Sequence, residues 1–304
     1  MYLPDEPGAS RPMLSRLARQ MLLSAVIGVV AFGSAASAQA TDKLRFVTGP
    51  FRATEAETRA AWGPLFKYLG EQLGVESELT ILDNWNKVNA AMAKDEYDAA
   101  WMGGAGRYVI VRSQGGGPAI ATVKVAGSPV YHALFLARPG LEVKDFPRGA
   151  KDMSLSFTHE NSTTGWLVQY AWLVSQGIDP KTWFKYTATN QHADNITGLA
   201  KGQFDLATDS DANRNAMIAR GAAKDSESRI LWTSPDVPQD PIQVRNGLDP
   251  ALTKRLQAAL VAIDDAKAKS IPMPPNYTGF VTTTDADYKS VHDASVLVGR
   301  IKKP

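Results

Sequence analysis

Apolar and polar residues alternate along the chain in patterns that predict strands and helices in turn. KLRFVTGPF, residues 43–51, places Leu44 and Phe46 on one face, which is typical of a strand. ETRAAWGPLFKYLGEQLG then carries apolar residues at helical spacing and ends at Gly74, the residue type that often terminates a helix. VESELTIL, NWNKVNAAMAKDEY and DAAWMG follow as a strand, a helix and a short strand. This β-α-β-α-β order predicts an α/β layer with mostly parallel strands.

A second series of the same kind begins near residue 153. GPAIATVKV and VYHALFLAR are two further strands that lead to it, and its members are the strand MSLSFT, the helix GWLVQYAWLVSQG, the strand WFKYTAT, the helix NITGLAKG and the strand FDLATD. A strand and a proline-rich crossing follow in SRILWTSPDVPQDPIQVR. The next helix is amphipathic, with Leu252, Leu256, Leu260 and Ile263 on one face. We therefore predict two similar α/β lobes, with the last segment returning to the first.

The predicted lobes divide the chain after its first forty residues. Residues 41–134 together with 240–304 form the first lobe, and residues 135–239 form the second. The strands near 131–137 and 232–244 cross between them and are the predicted hinge. Open α/β sheets bind ligands beyond the carboxyl ends of their strands, so we expect a ligand cleft between the lobes.

The first forty residues have the pattern of a secretory signal peptide. Three arginines between residues 11 and 19 precede the apolar run 21–32, and GSAASAQA then permits cleavage after Ala38 or Ala40. The apolar run is too short for a membrane anchor. We expect an exported, periplasmic protein that contains no integral membrane segment after signal cleavage.

Composition narrows the class of protein further. The chain has no cysteine, so neither a disulfide nor a lipid-bearing thiol is available. Its 33 basic and 31 acidic residues nearly balance, which argues against a nucleic-acid partner. We expect a monomer that needs no cofactor.

A run of hydroxyl residues stands where the helix of the second lobe begins. One side-chain oxygen would suffice as an N-cap, but Ser162, Thr163, Thr164 and Gly165 follow one another. Together with the unpaired backbone N–H groups of a helix start, these hydroxyls could surround an oxyanion. An ordinary cap followed by a solvated loop is the alternative.

Histidine and aromatic residues supply the second group of candidates. His192 precedes a predicted helix and could donate to an anion, or could make only local hydrogen bonds. Trp85 and Tyr131 lie where loops meet elements and could wall a cleft. The four histidines show no metal-binding spacing, so no metal site is predicted. Other tryptophans within apolar stretches are expected in the core: Trp101, Trp172 and Trp232.

Three acidic residues could face the same cleft. Asp209, Asp211 and Asp240 fall at predicted strand ends, although caps or turns would explain each one singly. A carboxylate there would pair with an amine or a protonated ligand oxygen and would repel a fully ionised one.

Six segments of the chain occur in a distinctive order and spacing: AAWMGGAGRYV, GSPVYHALF, NSTTGWLV, GIDPKTWF, QHADNITGLAKGQFDLATDSD and LWTSPDVPQDPIQVR. Together they resemble the PhnD-like family of periplasmic binding proteins, which serve ABC importers of phosphonate, phosphite and similar anions. The resemblance runs from about residue 44 to residue 264. It implies the type II periplasmic binding fold, an ABC permease as partner, and binding without catalysis.

The resemblance also implies roles for individual residues. The family's hydroxyl turn, which binds the phosphonate oxygens, corresponds to Ser162, Thr163 and Thr164, and the family's histidine that meets the same oxygens corresponds to His192. The other implied ligand-binding positions are Tyr131, Trp85 and Asp240.

Three departures from the family pattern affect the expected ligand. The family's His-Glu-Ala is His192-Ala193-Asp194 here, and its Thr-Asn-Asn is Thr208-Asp209-Ser210. The glutamate that holds a ligand amine aligns with Ala212, which argues against an aminoalkylphosphonate. Trp85 in place of tyrosine favours a smaller or less polar substituent.

Our interpretation from sequence is a periplasmic binding protein for a phosphonate- or phosphite-like anion, with Asp209 included among the ligand-binding residues. Three alternatives remain: the same fold adapted to a ligand without phosphorus, a sensory binding protein, and a secreted hydrolase with Ser162 or Thr163 as nucleophile and His192 as base. The hydrolase would lack a G-x-S-x-G elbow.

Overall fold

The computed structural model describes residues 43–274 and 276–302, so the predicted signal peptide lies outside the described residues. Strands and helices alternate along most of this part of the chain. The strands are β1 (Lys43–Thr48), β2 (Glu76–Ile81), β3 (Ala99–Trp101), β4 (Ala119–Val125), β5 (Val130–Tyr131), β6 (Ala133–Ala137), β7 (Ser154–Thr158), β8 (Lys185–Asn190), β9 (Leu206–Ser210), β10 (Arg229–Thr233), β11 (Val237–Pro238), β12 (Pro241–Val244) and β13 (Tyr277–Thr282).

The helices cover the faces of these strands. They are α1 (Glu55–Leu73), α2 (Trp85–Ala93), α3 (Ala105–Ser113), α4 (Val168–Ser175), α5 (Pro180–Trp183), α6 (His192–Ala200), α7 (Asp211–Ala219), α8 (Pro250–Val261), α9 (Asp265–Ser270) and α10 (Lys289–Leu297). A π-helical turn, Thr163–Leu167, runs directly into α4. Among the described residues, no helix combines the length and apolar character that crossing a bilayer requires.

The strands form two mixed sheets. The six-stranded sheet has the order β13-β4-β12-β3-β1-β2, with β1 parallel to β2 and β3, and with β12 antiparallel to its two neighbours. The five-stranded sheet has the order β10-β6-β9-β7-β8, in which β7 is parallel to β8 and β9. Two helix-flanked sheets agree with the predicted two-lobed α/β architecture.

Apolar spacing explains why the predicted helices pack where they do. Leu65, Leu69 and Leu73 of α1 are buried, and the helix ends at Gly74 with a positive φ of 66°, as the sequence predicted. Thr54 and Glu57 form a capping box at its other end. The predicted face of α8 and the segment after it is also buried in the core of the six-stranded sheet, where Leu252, Leu256, Leu260 and Ile263 all lie.

The chain crosses between the two sheets through a pair of two-residue strands. β5 and β11 pair with each other in antiparallel register, Tyr131 opposite Val237. VYHALFLAR, predicted as one strand, is broken at His132 into β5 and β6. The predicted lobe boundary between residues 134 and 135 falls inside β6. The last segment returns to the first sheet as predicted, because β13 pairs with β4.

Candidate functional site

A cleft of about 520 Å³ contains most of the residues that the sequence singled out. Its walls come from the ends of strands and the starts of helices that belong to both sheets. Seven of the eight predicted ligand-binding residues line it: Trp85, Tyr131, Ser162, Thr163, Thr164, His192 and Asp240. Asp209 does not line the cleft. Ala212, which the family resemblance placed at the position of an amine-binding glutamate, does.

Hydrogen bonds to Ser162 and Thr163 hold the hydroxyl turn in place as one wall of the cleft. Ser162 caps the π-helical turn, and its Oγ accepts the Gly165 N–H at 3.0 Å. Thr163 Oγ1 accepts the Gly106 N–H of α3, also at 3.0 Å, so the turn reaches across to a helix of the six-stranded sheet. Accepting this hydrogen bond does not use the proton of the Thr163 hydroxyl, so that proton is still available for donation into the cleft.

Gly165 lets this turn lie close to the strand before it. A Cβ at this position would stand 2.2 Å from Thr158 Oγ1 and 2.8 Å from His192 Cε1. Only a residue without a side chain fits between β7 and the first residue of α6. The glycine therefore holds the hydroxyl turn and His192 together.

His192 is held between a hydroxyl and a buried carboxylate. Its Nε2 lies 3.0 Å from Ser162 Oγ, and its Nδ1 lies 2.6 Å from Asp209 Oδ1. Asp209 is fully buried, and it also accepts from the Asn213 amide. Since a carboxylate only accepts hydrogen bonds, Nδ1 carries a proton, and the cleft-facing Nε2 accepts in the neutral ring or donates in the charged ring. Asp209 thus acts on the cleft through His192.

Trp85 and Arg107 form the opposite wall. Trp85 is the first residue of α2, and Gly49 and Gly103 let its ring pack tightly, because a Cβ at Gly103 would lie 2.3 Å from that ring. The Arg107 guanidinium stacks on the ring at 4.3 Å from its centroid. A positive charge therefore covers one face of Trp85, a residue that the sequence predicted only as a wall of the cleft that adds apolar area.

Burial shifts the pKa values of three groups in the cleft. Burial raises the pKa of Asp240 to about 6, although the positive charge of Arg107 opposes this shift. Burial lowers the pKa of Arg107 to about 10. The pKa of Tyr131 is raised by burial and also by the nearby Asp240. Protein surrounds most of the Asp240 side chain, and the rest of it reaches the cleft. Because its pKa is about 6, the carboxyl group is partly neutral near that pH.

Arg107 is the main cleft residue that sequence reasoning missed. It lies on α3, a helix that the pattern analysis did not predict, because Gly104 at its start supplies no side-chain cap. The segment AAWMGGAGRYV contains it, but was used only for its resemblance to a family. Helical spacing of the buried residues Tyr108 and Val111 with Ala105 was the available signal.

Asp211 and two of the three tryptophans that were expected in the core lie outside the cleft. Asp211 does not enter the cleft, because its carboxylate accepts from the backbone N–H of His132 at 2.8 Å and lies 2.7 Å from His132 Nδ1. Trp101 is buried and also borders the cleft, while Trp172 and Trp232 stack on each other at 4.6 Å. In the part of the chain that the structure describes, no group of three or more His, Cys, Asp or Glu side chains could hold a metal ion.

Comparison with known proteins identifies the family of the chain. Residues 51–288 match the model of a family described as ABC transporter, phosphonate, periplasmic substrate-binding protein. A curated relative, the phosphonates-binding periplasmic protein of Escherichia coli (strain K12), is 25% identical over 198 residues. That match covers 64% of this chain and 59% of the relative.

Solved structures share the fold at lower identity. A binding protein component of an ABC phosphonate transporter from Pseudomonas aeruginosa is 21% identical, with a TM-score of 0.65 over 85% of this chain and 87% of the other. PhnD1 from Prochlorococcus marinus, solved with methylphosphonate, is 19% identical, with a TM-score of 0.69 over 86% and 99% of the two chains.

Proposed function

Because the chain belongs to the family of periplasmic substrate-binding proteins of phosphonate ABC transporters, we propose that its cleft binds a phosphonate- or phosphite-like anion and delivers it to a membrane permease. The hydroxyl turn carries this proposal. Ser162, Thr163 and Thr164 stand at a helix start beside His192, which lies 3.0 Å from Ser162. A tetrahedral oxyanion needs several donors at one point, and hydroxyls, a helix start and an imidazole supply them there.

Each wall then has a role in binding. The hydroxyl turn and His192 hold the anion from the five-stranded sheet, while Tyr131 and Arg107 meet it from the crossing strand and from the six-stranded sheet. Asp240, when neutral, donates to a ligand oxygen, and when charged it accepts from a protonated one. Ala212 leaves no carboxylate for a ligand ammonium at that position, so an aminoalkylphosphonate is disfavoured.

Closure of the cleft brings these walls together. In this proposal, residues 41–134 and 240–304 form one lobe, and residues 135–239 form the other. The paired strands β5 and β11 are part of the hinge between them. The family is periplasmic. We further propose that the precursor is cleaved after Ala38 or Ala40 and that the mature protein is a monomer without catalytic activity.

A thermal-shift screen of residues 41–304 tests the function. A ligand at a hundred times its dissociation constant stabilises the folded state by about 2.7 kcal/mol. We expect phosphite or methylphosphonate to raise the Tm, and aminoethylphosphonate, phosphate and sulfate to do so less.

Ser162→Ala combined with Thr163→Ala should abolish the shift. The empty double variant should also have a lower Tm, because the lost Ser162 cap costs about 1 kcal/mol and the Gly106 N–H loses its acceptor, Thr163 Oγ1. A full shift in the double variant would place the anion elsewhere, and no shift with any phosphorus anion would contradict the proposal.

The contacts of His192 also give the hydrolase alternative a specific geometry. Ser162, His192 and Asp209 are hydrogen-bonded in the order of a Ser-His-Asp triad. However, Ser162 Oγ already accepts the Gly165 N–H, and Ser162 has unstrained extended dihedrals, φ −80° and ψ 134°, unlike a nucleophile elbow. We therefore expect no covalent labelling of Ser162 by a fluorophosphonate, measured by mass spectrometry; stoichiometric labelling would favour the hydrolase.

A further inference from the structure

A side cavity of about 320 Å³ adjoins the ligand cleft. It lies among α2, α3, Asn161 just before the hydroxyl turn, and the segment after α10, and it shares Arg107 and Asn161 with the cleft. Its remaining polar wall consists of Asn86, Asn89, Gln114 and Arg300. The two cavities therefore meet at the Arg107 side chain.

Two arginines give this cavity a positive charge that no direct ion pair among the described residues neutralises. Arg107 stacks on Trp85, and Arg300 stacks on Trp166 with its guanidinium 4.3 Å from the ring centroid. Within residues 43–274 and 276–302, no carboxylate oxygen lies within 4.0 Å of either guanidinium. The nearest acidic group acting on Arg300 is Glu160, which is exposed and lies 3.9 Å from the Lys181 ammonium.

The two guanidiniums are close enough to act on each other. Burial is the main reason that the pKa of Arg107 is lowered, and the charge of Arg300 lowers it further. Burial also lowers the pKa of Arg300. Asp240 acts on Arg107 and Glu160 acts on Arg300, but neither carboxylate forms a direct ion pair with its arginine among the described residues. Two partly buried like charges destabilise the empty protein, and an anion between them would reduce that cost.

Hydrogen-bonding groups beside the arginines are also left without partners. Arg107 Nε is buried and has no acceptor among the described residues, and Asn89 Oδ1 is buried without a donor. Arg107 Nη1 donates to the Gly103 carbonyl, and Arg300 Nη2 donates to the Glu160 carbonyl. Each guanidinium therefore keeps further N–H groups for a ligand, since arginine carries five donors.

Arg107 also lies close to the hydroxyl turn. The ideal Cβ position at Gly104 stands 2.9 Å from Arg107 Nη1 and 3.5 Å from Thr163 Oγ1. A ligand a few bonds long would reach from the Thr163 hydroxyl to the guanidinium. The two anion-binding groups are thus spaced for one small molecule.

We propose that Arg107 and Arg300 form a second anion subsite, and that the ligand is a phosphonate whose substituent ends in a carboxylate. This inference rests on the proposed function, because the phosphonate end occupies the hydroxyl turn. Arginine suits a carboxylate, which it can bind through two parallel N–H···O hydrogen bonds.

Isothermal titration with two matched ligands tests the subsite. Ethylphosphonate and 3-phosphonopropionate differ by one carboxylate, and we expect the parent protein to bind the second at least about tenfold more tightly, a free-energy difference of about 1.4 kcal/mol. Binding of ethylphosphonate alone, or of both equally, would overturn the subsite and leave the proposed function intact. Binding of neither would overturn the subsite, and the proposed function would fall with it only if methylphosphonate and phosphite also failed to bind.

Substitutions then locate the preference. Arg300→Gln should bring the ratio of the two dissociation constants close to one, and Arg300→Lys should keep part of it. Arg220→Gln removes the same charge from the exposed end of α7 and should keep the full ratio. If Arg300→Gln weakens the binding of both ligands by the same factor, Arg300 only positions the hydroxyl turn through Trp166 and Glu160. That result would overturn the subsite.

Discussion

At the scale of single residues, the site depends on a side chain that never reaches the cleft. Asp209 is buried, but its contact with Nδ1 decides which atom of His192 carries a proton. The sequence placed Asp209 among the ligand-binding residues because it ends a strand. The pattern could not tell that the carboxylate would be occupied by His192 and Asn213, since those contacts join three separate elements.

Asp209→Asn should weaken binding of methylphosphonate by about 10- to 100-fold, because hydrogen bonds to charged groups contribute about 1.5–3 kcal/mol. Titration calorimetry measures this change. Asp205→Asn is the matched control at the other end of β9, where the carboxylate accepts from Ser154 and Arg138. The control should lower the Tm without altering the dissociation constant; an equal loss of affinity in both variants would contradict the role of Asp209.

At the scale of elements, the site depends on close approach between β7, the hydroxyl turn and α6. Gly165 is the residue that permits it, and Thr158 Oγ1 beside it is buried with no hydrogen-bond partner in the part of the chain that the structure describes. Tight packing of this kind transmits any added volume to the neighbouring backbone.

Gly165→Ala should lower the free energy of unfolding by about 1–3 kcal/mol and abolish anion binding, because its Cβ would overlap Thr158. Adding Thr158→Ala should restore part of the stability by making room for that Cβ. Urea unfolding of the two single variants and the double variant measures the coupling. Simple additivity of the two losses would show that the overlap is unimportant.

Most elements were predictable from sequence because apolar spacing and caps specify them locally. The family match also confirms the resemblance that the six segments indicated. Two failures have a physical reason. α3 begins at a glycine without a side-chain cap, so Arg107 was missed, and VYHALFLAR reads as one strand because nothing local shows that His132 turns toward Asp211 and Asp236.

At the scale of the whole molecule, His132 connects the two crossing segments. It lies between β5 and β6, and its Nε2 is 3.0 Å from Asp236, which precedes β11. The pKa of His132 is raised mainly by its hydrogen bond to Asp211, with a further contribution from Asp236. The stabilisation from this pairing is fully present below the ordinary pKa of 6.5 and is lost as the pH rises through the raised value.

Asp211→Asn should therefore lower the Tm of the empty protein more at about pH 6 than at about pH 9. Thermal unfolding of parent and variant at both values measures the difference. Asp293→Asn is the control on α10, where the exposed carboxylate lies beside the half-exposed His292 and also pairs with Lys289. The control should have a small effect at both pH values, because exposed ion pairs contribute little. If Asp211→Asn lowers the Tm equally at both pH values, the effect comes from the hydrogen bonds that Asp211 accepts from backbone N–H groups.

The position of β12 has a consequence for the order of folding. Residues 133–233 supply every strand of the five-stranded sheet, whereas β12 lies between β3 and β4 and comes later than both in the chain. Its pairing with β3 closes a loop of well over a hundred residues, and long-range pairing of this kind is slow. We expect the five-stranded sheet to assemble first. The six-stranded sheet, whose strands β1 to β4 are synthesised before the five-stranded sheet, then completes its folding last.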